Sequence, residues 1–169
     1  MLAGRDERAR VRGAQRGSAS DLEALFRMHW PRAFRAAYLV THDAAAAEDI
    51  AQEAFLAAIR ALDRFDSRRP FGPWLHRIAV NRAIDWARVR KLRAEVELGH
   101  AGSSLDAPGV PNDDAFRALR RLSPEKRAVI VMRYLLDMTP GEISKALLLP
   151  RGTVNSRLRR GLDAMREEL

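Results

Sequence analysis

The feature that most constrains this chain is the spacing of apolar residues after Asp43. Ala47, Ile50, Ala51, Ala54, Phe55, Ala58, Ile59 and Leu62 recur in steps of three and four, the stripe of one buried helix face. No segment shows the sustained apolar–polar alternation of a half-buried strand, so the spacing predicts an all-α chain. Punctuation divides the rest into further helices. Gly17 stops a first helix, Ser20 or Asp21 caps a second, and Thr41, His42 and Asp43 make the turn before the best-defined one. Residues 65–73 read as a loop. A helix over about 74–93 then turns Leu75, Ile78, Ala79, Ala83, Trp86 and Ala87 inward.

Towards the C-terminus, Ser123-Pro124-Glu125 places a cap and a first-turn proline before a helix that buries Ala128, Val129, Met132 and Leu135. Thr139-Pro140 repeats the device and opens a short helix with Ile143, Ala146 and Leu147 on one face. Leu148-Leu149-Pro150 breaks that helix, and a second one, over about 151–166, buries Val154, Leu158, Leu162 and Met165. Between these two helical parts lie Gly99, Gly102, Ser103, Ser104, Pro108, Gly109 and Pro111, the composition of a flexible linker. A chain of 169 residues is long enough for one domain or two small ones. The linker favours two: helical domains over 1–93 and 113–169, joined by residues 94–112.

Lys and Arg number 30 against 22 Asp and Glu, a formal charge of +8 that suits a polyanionic partner, either nucleic acid or an anionic membrane surface. The charge is segregated. Arg and Lys dominate residues 60–93, whereas acids outnumber Arg over 21–59. Glu48, Asp49, Gln52 and Glu53 form a compact acidic patch outside the apolar stripe; read from the residues alone, it is an ordinary solvated face. The absence of cysteine excludes disulfides and thiolate chemistry. His29, His42, His76 and His100 lack ligand spacing and read as surface or interface residues, so neither a metal nor another cofactor is expected. Residues 1–17 are Arg-rich without the apolar run of a signal peptide, and no stretch approaches the roughly 20 residues of a membrane span. The expected location is the cytoplasm.

Two short helices with a tight break, the second carrying a basic outer face, form the pattern of a helix-turn-helix whose second helix enters the major groove. If Val154, Leu158 and Leu162 face the core, Asn155, Ser156, Arg159 and Arg160 project outward as donors for base edges and phosphates, with Arg157 at the boundary. A helical hairpin with a solvated basic face is the competing reading. By itself the motif leaves a repressor, a polymerase subunit and a recombinase open. The region over 65–93 narrows the choice, because Phe65, Phe71, Trp74 and Trp86 alternate with Arg64, Arg68, Arg69, Arg77, Arg82, Arg88 and Lys91. Unpaired bases stack on aromatic faces for roughly 1–3 kcal/mol each while cations follow the backbone. Trp74 and Trp86 also fit core positions at helical spacing.

Four strings in order resemble the extracytoplasmic-function sigma factors, the small promoter-recognition subunits of bacterial RNA polymerase. Asp21-Leu22-Glu23-Ala24-Leu25-Phe26 resembles the start of their region 2, and Ala47-Glu48-Asp49-Ile50-Ala51-Gln52-Glu53-Ala54-Phe55 their polymerase-binding helix. The stretch from Trp74-Leu75-His76-Arg77 to Asn81-Arg82-Ala83-Ile84-Asp85 resembles the promoter-melting segment, and Pro150-Arg151-Gly152-Thr153-Val154-Asn155-Ser156-Arg157-Leu158 the region 4 recognition helix. The resemblance implies a non-enzymatic initiation factor with core RNA polymerase as partner, through its clamp helices and flap, and promoter DNA as target; the family often has an anti-sigma factor. It implies that Asp49, Gln52 and Glu53 dock on the clamp helices, overturning the solvated-face reading. Residues 65–73 with Phe71, Trp74, Arg77, Asn81, Arg82 and Arg88 would capture the melted minus-10 element, and Arg151, Thr153, Asn155, Ser156, Arg159 and Arg160 would read the minus-35 element. The linker would span the polymerase.

Two positions depart from the family. Leu148 stands where glycine is common in the turn, and a left-handed backbone would be costly for Leu, which points to a reshaped turn. Asn155 stands where Arg or Lys is frequent, and its amide suits adenine rather than guanine. The main rival is a stand-alone helix-turn-helix regulator that binds duplex DNA without polymerase. A DNA-acting enzyme would need a nucleophile or metal carboxylates beside the basic groove, and the sequence offers neither.

Overall fold

A computed structural model describes residues 2–96 and 114–168, and among them are eight α-helices, one 3₁₀ turn and no strand. In chain order the helices are α1 (Leu2–Gln15), α2 (Ala19–Thr41), α3 (Ala44–Ala61), α4 (Phe71–Val96), α5 (Asp114–Arg121), α6 (Pro124–Tyr134), α7 (Pro140–Leu147) and α8 (Arg151–Glu168), with the 3₁₀ turn Leu62–Arg64 between α3 and α4. The all-α expectation holds.

Local chemistry sets most boundaries. Gly17 adopts φ +87° after α1, and the Ser18 side chain then accepts from the Asp21 N–H at 3.3 Å. The cap is therefore Ser18, ahead of the expected Ser20 or Asp21, because only its hydroxyl lies under the free N–H groups of the first turn. His42 closes α2 in the left-handed region and donates its N–H to the Tyr38 carbonyl at 2.7 Å; Asp43 caps α3 by accepting from the Ala46 N–H at 3.0 Å. Helix α4 begins at Phe71, three residues before the sequence suggests. Pro73 falls in its first turn, where a missing N–H leaves no bond unmade, and the Phe71 N–H donates to Glu7 Oε2 at 3.4 Å. At the other end Ala94, Glu95 and Val96 continue the helix rather than opening the linker, and the remainder of the expected linker lies outside the described residues.

Helices α1 to α4 close around Val11, Leu25, Ala33, Ala54, Phe55, Leu75 and Ala79. The α3 stripe is buried as expected except for Ile59, which is 42 % exposed on the last turn. A second core lies where α2, α3 and α4 meet the C-terminal helices, and it runs without a break from Ala37, Tyr38 and Ile84 to Phe116, Met132 and Ile143. Val80 and Ile84 on α4, and Ile130 and Val131 on α6, are buried for this reason, although neither stripe read from the sequence includes them. Tyr38 and Phe116 stack at 5.7 Å with 10° between planes. Around that contact Arg32 donates to the Leu135 carbonyl at 3.0 Å and pairs with Asp137 at 2.6 Å, Arg88 pairs with Glu125 at 2.9 Å, and Arg127 donates to the Val40 carbonyl. The two helical units thus sit against each other.

Candidate nucleic-acid interface

The α7–α8 pair is built from its caps. Thr139 donates its N–H to Glu142 Oε2 at 2.7 Å, and its hydroxyl oxygen accepts from the Glu142 N–H at 3.3 Å, a reciprocal capping box followed by Pro140 at the first helical position. The turn that follows is not reshaped. Leu148 takes φ 53° and ψ 43°, the left-handed geometry natural to glycine. The surrounding bonds demand it: the Leu149 N–H donates to the Ser144 carbonyl at 3.0 Å, as does the Leu148 N–H, while the Ser144 hydroxyl donates to the Leu149 carbonyl at 2.6 Å. The Leu148 side chain is 90 % exposed.

Helix α8 buries Val154 and Leu158 as expected, whereas Leu162 and Met165 are only partly covered. Its seam is completed by Gly161, where a Cβ would come within 2.7 Å of Ile130 Cδ1, so the helix lies close on α6. The opposite face presents Arg151, Asn155, Arg159 and Arg160 to solvent, with Thr153, Ser156 and Arg157 half-buried at its flanks. These side chains share one face, as the seam requires.

The acidic patch on α3 is exposed at Glu48, Asp49, Gln52 and Glu53. Gln52 Nε2 donates to Glu48 Oε1 at 3.4 Å, and Glu53 pairs with Arg82 at 2.9 Å across to α4. With both partners largely in solvent, that pair contributes little to stability. It does connect the acidic patch to the basic helix.

On α4 the expected residues divide. Phe71 is 2 % exposed and packs on Trp74, Phe65 and His29, so it is a core residue rather than a stacking platform. The reason is the early helix start, which turns it inward. Trp74, half-buried, stacks on Phe65 at 4.4 Å and shares a cleft with Arg77, Leu136, Asp137 and Lys145. Asn81 Nδ2 donates to the Ala146 carbonyl at 3.3 Å, and Arg88 is held by Glu125. The structure therefore gathers Trp74, Arg77, Asn81 and Arg88 on the side of α4 that meets the C-terminal unit, and leaves Arg82 on the flank facing α3. Arg32, unassigned in the sequence reading, also bridges the units; its partners lie about a hundred residues away and no local pattern announces them.

The three described histidines are buried inside the fold, rather than on its surface as expected. His29, His42 and His76 are 9 %, 6 % and 5 % exposed. His29 Nε2 lies 2.7 Å from Glu7 Oε1, which holds the Glu7 carboxyl below its usual range, and burial lowers His76 to about 4. His100 lies outside the described residues. Among the described residues no cluster of His, Cys, Asp or Glu could hold a metal ion.

An all-helical two-part architecture ending in a helix-turn-helix defines a class of DNA-binding proteins, and the comparisons with known proteins say which. The family descriptions "Sigma-70 region 2" and "Sigma-70, region 4" match residues 25–93 and 113–165. The chain is 34 % identical to the "ECF RNA polymerase sigma factor SigW" of Bacillus subtilis over 95 % of both chains, and 35 % identical to the "ECF RNA polymerase sigma factor SigL" of Mycobacterium tuberculosis over 94 % of both. Among solved structures it is similar to CnrH, in its complex with the cytosolic domain of CnrY, with a TM-score of 0.68 and 25 % identity over 96 % of both chains. The chain belongs to the extracytoplasmic-function RNA polymerase sigma factors. It is accordingly an initiation factor, not an enzyme: it binds core RNA polymerase and directs initiation at promoters through their minus-10 and minus-35 elements. Among the described residues no helix is long and apolar enough to cross a membrane.

Proposed function

We propose that α8 reads the minus-35 element through Arg151, Thr153, Asn155, Ser156, Arg159 and Arg160, that Asp49, Gln52 and Glu53 dock on the polymerase clamp helices, and that Trp74, Arg77, Asn81, Arg82 and Arg88 receive the melted minus-10 strand. The observation that carries the reading is the division of α8 into a buried seam, Val154 and Leu158, and an exposed donor face, Asn155, Arg159 and Arg160. A helix so divided can lie in a major groove while α6 supports it from behind. Phe71 supports Trp74 from within the core and does not touch DNA. Because Trp74, Arg77, Asn81 and Arg88 face the C-terminal unit, holoenzyme formation parts the two units, and the segment between α4 and α5 spans the distance between promoter elements. The factor works in the cytoplasm with the polymerase, and CnrH, held by the cytosolic domain of CnrY, supports an anti-sigma partner for this chain too.

Arg160→Ala is expected to lower transcription from a promoter that needs its upstream element by about tenfold, the scale of one lost base contact at roughly 1–3 kcal/mol. Asp49→Ala with Glu53→Ala is expected to weaken binding to core polymerase while leaving the melting temperature within a degree or two. Run-off transcription and polymerase titration read these effects. Unchanged transcription in both variants contradicts the assignments.

A further inference from the structure

A second feature of the junction is independent of promoter reading. Where the end of α2 and the C-terminal half of α4 meet α5 and the start of α6, a cleft of about 550 Å³ opens, within the roughly 300–1,000 Å³ of small-molecule sites. Its charged lining is entirely cationic: Arg90 and Lys91 come from α4, Arg120 and Arg121 from α5, and Arg127 from α6, and no carboxylate lines it among the described residues. Arg90 is neutralised by Asp43 at 2.6 Å and Arg121 by Glu168 at 2.6 Å. Lys91 and Arg120 pair with no carboxylate among the described residues, and Arg127 donates only to the backbone carbonyls of Leu122 and Val40, so all three charges stay uncompensated at the cleft.

Two polar groups beside them lack hydrogen-bond partners among the described residues. His42 lines the cleft, is 6 % exposed, and neither of its ring nitrogens has a hydrogen-bond partner among the described residues. Buried polar atoms ordinarily find a partner, and at His42 both ring nitrogens are without one. Ser123, the N-cap of α6, makes no side-chain capping bond, so its hydroxyl stands at the positive end of an 11-residue helix with its capacity unused. Burial, then the neighbouring cation Arg120, pushes Arg127 down to about 10; burial, then Arg127 and Arg120, pushes His42 down to about 3. Negative charge in the cleft would relieve the crowded cations Arg120 and Arg127.

We propose that this cleft binds a small phosphate-bearing polyanion, held by Lys91, Arg120 and Arg127 with the His42 imidazole and the Ser123 hydroxyl as hydrogen-bond partners. Such a ligand bridges both units and tightens their packing. Its phosphates could belong to an inorganic chain or to a nucleotide, whose base would meet Trp86 at the cleft wall.

Isothermal titration of the full chain at physiological ionic strength tests this, with tripolyphosphate and ATP as probes. The expected result is one saturable site per chain and a raised melting temperature, with affinity falling at least tenfold in Lys91→Ala/Arg120→Ala. The remote double variant Arg60→Ala/Arg166→Ala, which removes equal charge, is expected to bind within twofold of the natural chain. ATP binding tenfold tighter than tripolyphosphate assigns the site to nucleotides, and equal binding assigns it to the phosphate chain; either supports the proposal. Equal losses in the two double variants, or several weak sites, would reduce the effect to general polyanion attraction and overturn it. Displacement of both probes by duplex DNA, with the same dependence on Lys91 and Arg120, would give the cleft to the DNA backbone and overturn it as well.

Discussion

Leu148 holds a left-handed backbone, φ 53° and ψ 43°, that its side chain disfavours. Its identity signals a conflict with the left-handed turn, but not how the conflict ends, because that depends on the bonds that close around Ser144. The bonds win, and Leu148 bears strain on the order of 1 kcal/mol. Leu148→Gly is therefore expected to stabilise the protein by about 1 kcal/mol in urea unfolding; a destabilised variant would show that the exposed side chain has a supporting role in the free protein. His42 gives a second residue-level outcome. Its folded pKa, about 3, lies below the ordinary histidine value, so the unfolded chain binds the extra proton first. Its stabilising effect is full above about pH 6.5 and is lost as pH falls towards 3. His42→Asn, which tolerates the same left-handed backbone, is expected to remove about 1–2 kcal/mol of the stability difference between pH 7 and pH 5. An unaltered pH slope contradicts the neutral, buried state of His42. Neither its burial nor that of Phe71 was legible from neighbours in sequence, since the ring that closes over His42 beside Tyr38 comes from Phe116 on α5.

Elements were far more legible. The α3 stripe, the Asp43 and Thr139 caps and the α8 seam are written in residues three or four apart, the range over which helix signals operate. What escaped were features set by distant partners: the start of α4 at Phe71, fixed by Glu7 and the core beneath it, and the second buried face of α4, covered by helices more than thirty residues further on. The candidate site follows the same rule. The α8 reading face and the α3 acidic patch emerge from periodicity alone, whereas the placement of Trp74, Arg77 and Asn81 against the C-terminal unit does not. The Thr139 box fixes the start of α7, and Thr139→Ala is expected to cost about 1 kcal/mol of stability in denaturant unfolding. A change below a few tenths would mean that Pro140 and Glu142 fix the helix start unaided.

At the scale of the molecule, the two units share a core although each carries a separate role in promoter recognition. Stacked on Tyr38, Phe116 sits at the centre of that junction, and Phe116→Ala is expected to destabilise the protein by about 3–5 kcal/mol and to enlarge its radius of gyration in small-angle scattering. An unchanged radius would mean that the bridges of Arg32, Arg88 and Arg127 hold the units together alone. The closed packing sets half-buried Trp74, Arg77 and Asn81 against the C-terminal unit, with Arg88 exposed beside Glu125; on the proposed function the units part before a melted strand engages all four. The most direct measurement is run-off transcription with purified chain and core polymerase on templates carrying both promoter elements. The expected result is a discrete transcript that requires both proteins and fades in Arg160→Ala and in Asp49→Ala/Glu53→Ala. Tight duplex binding by the chain alone, with no transcript on adding polymerase, would contradict it.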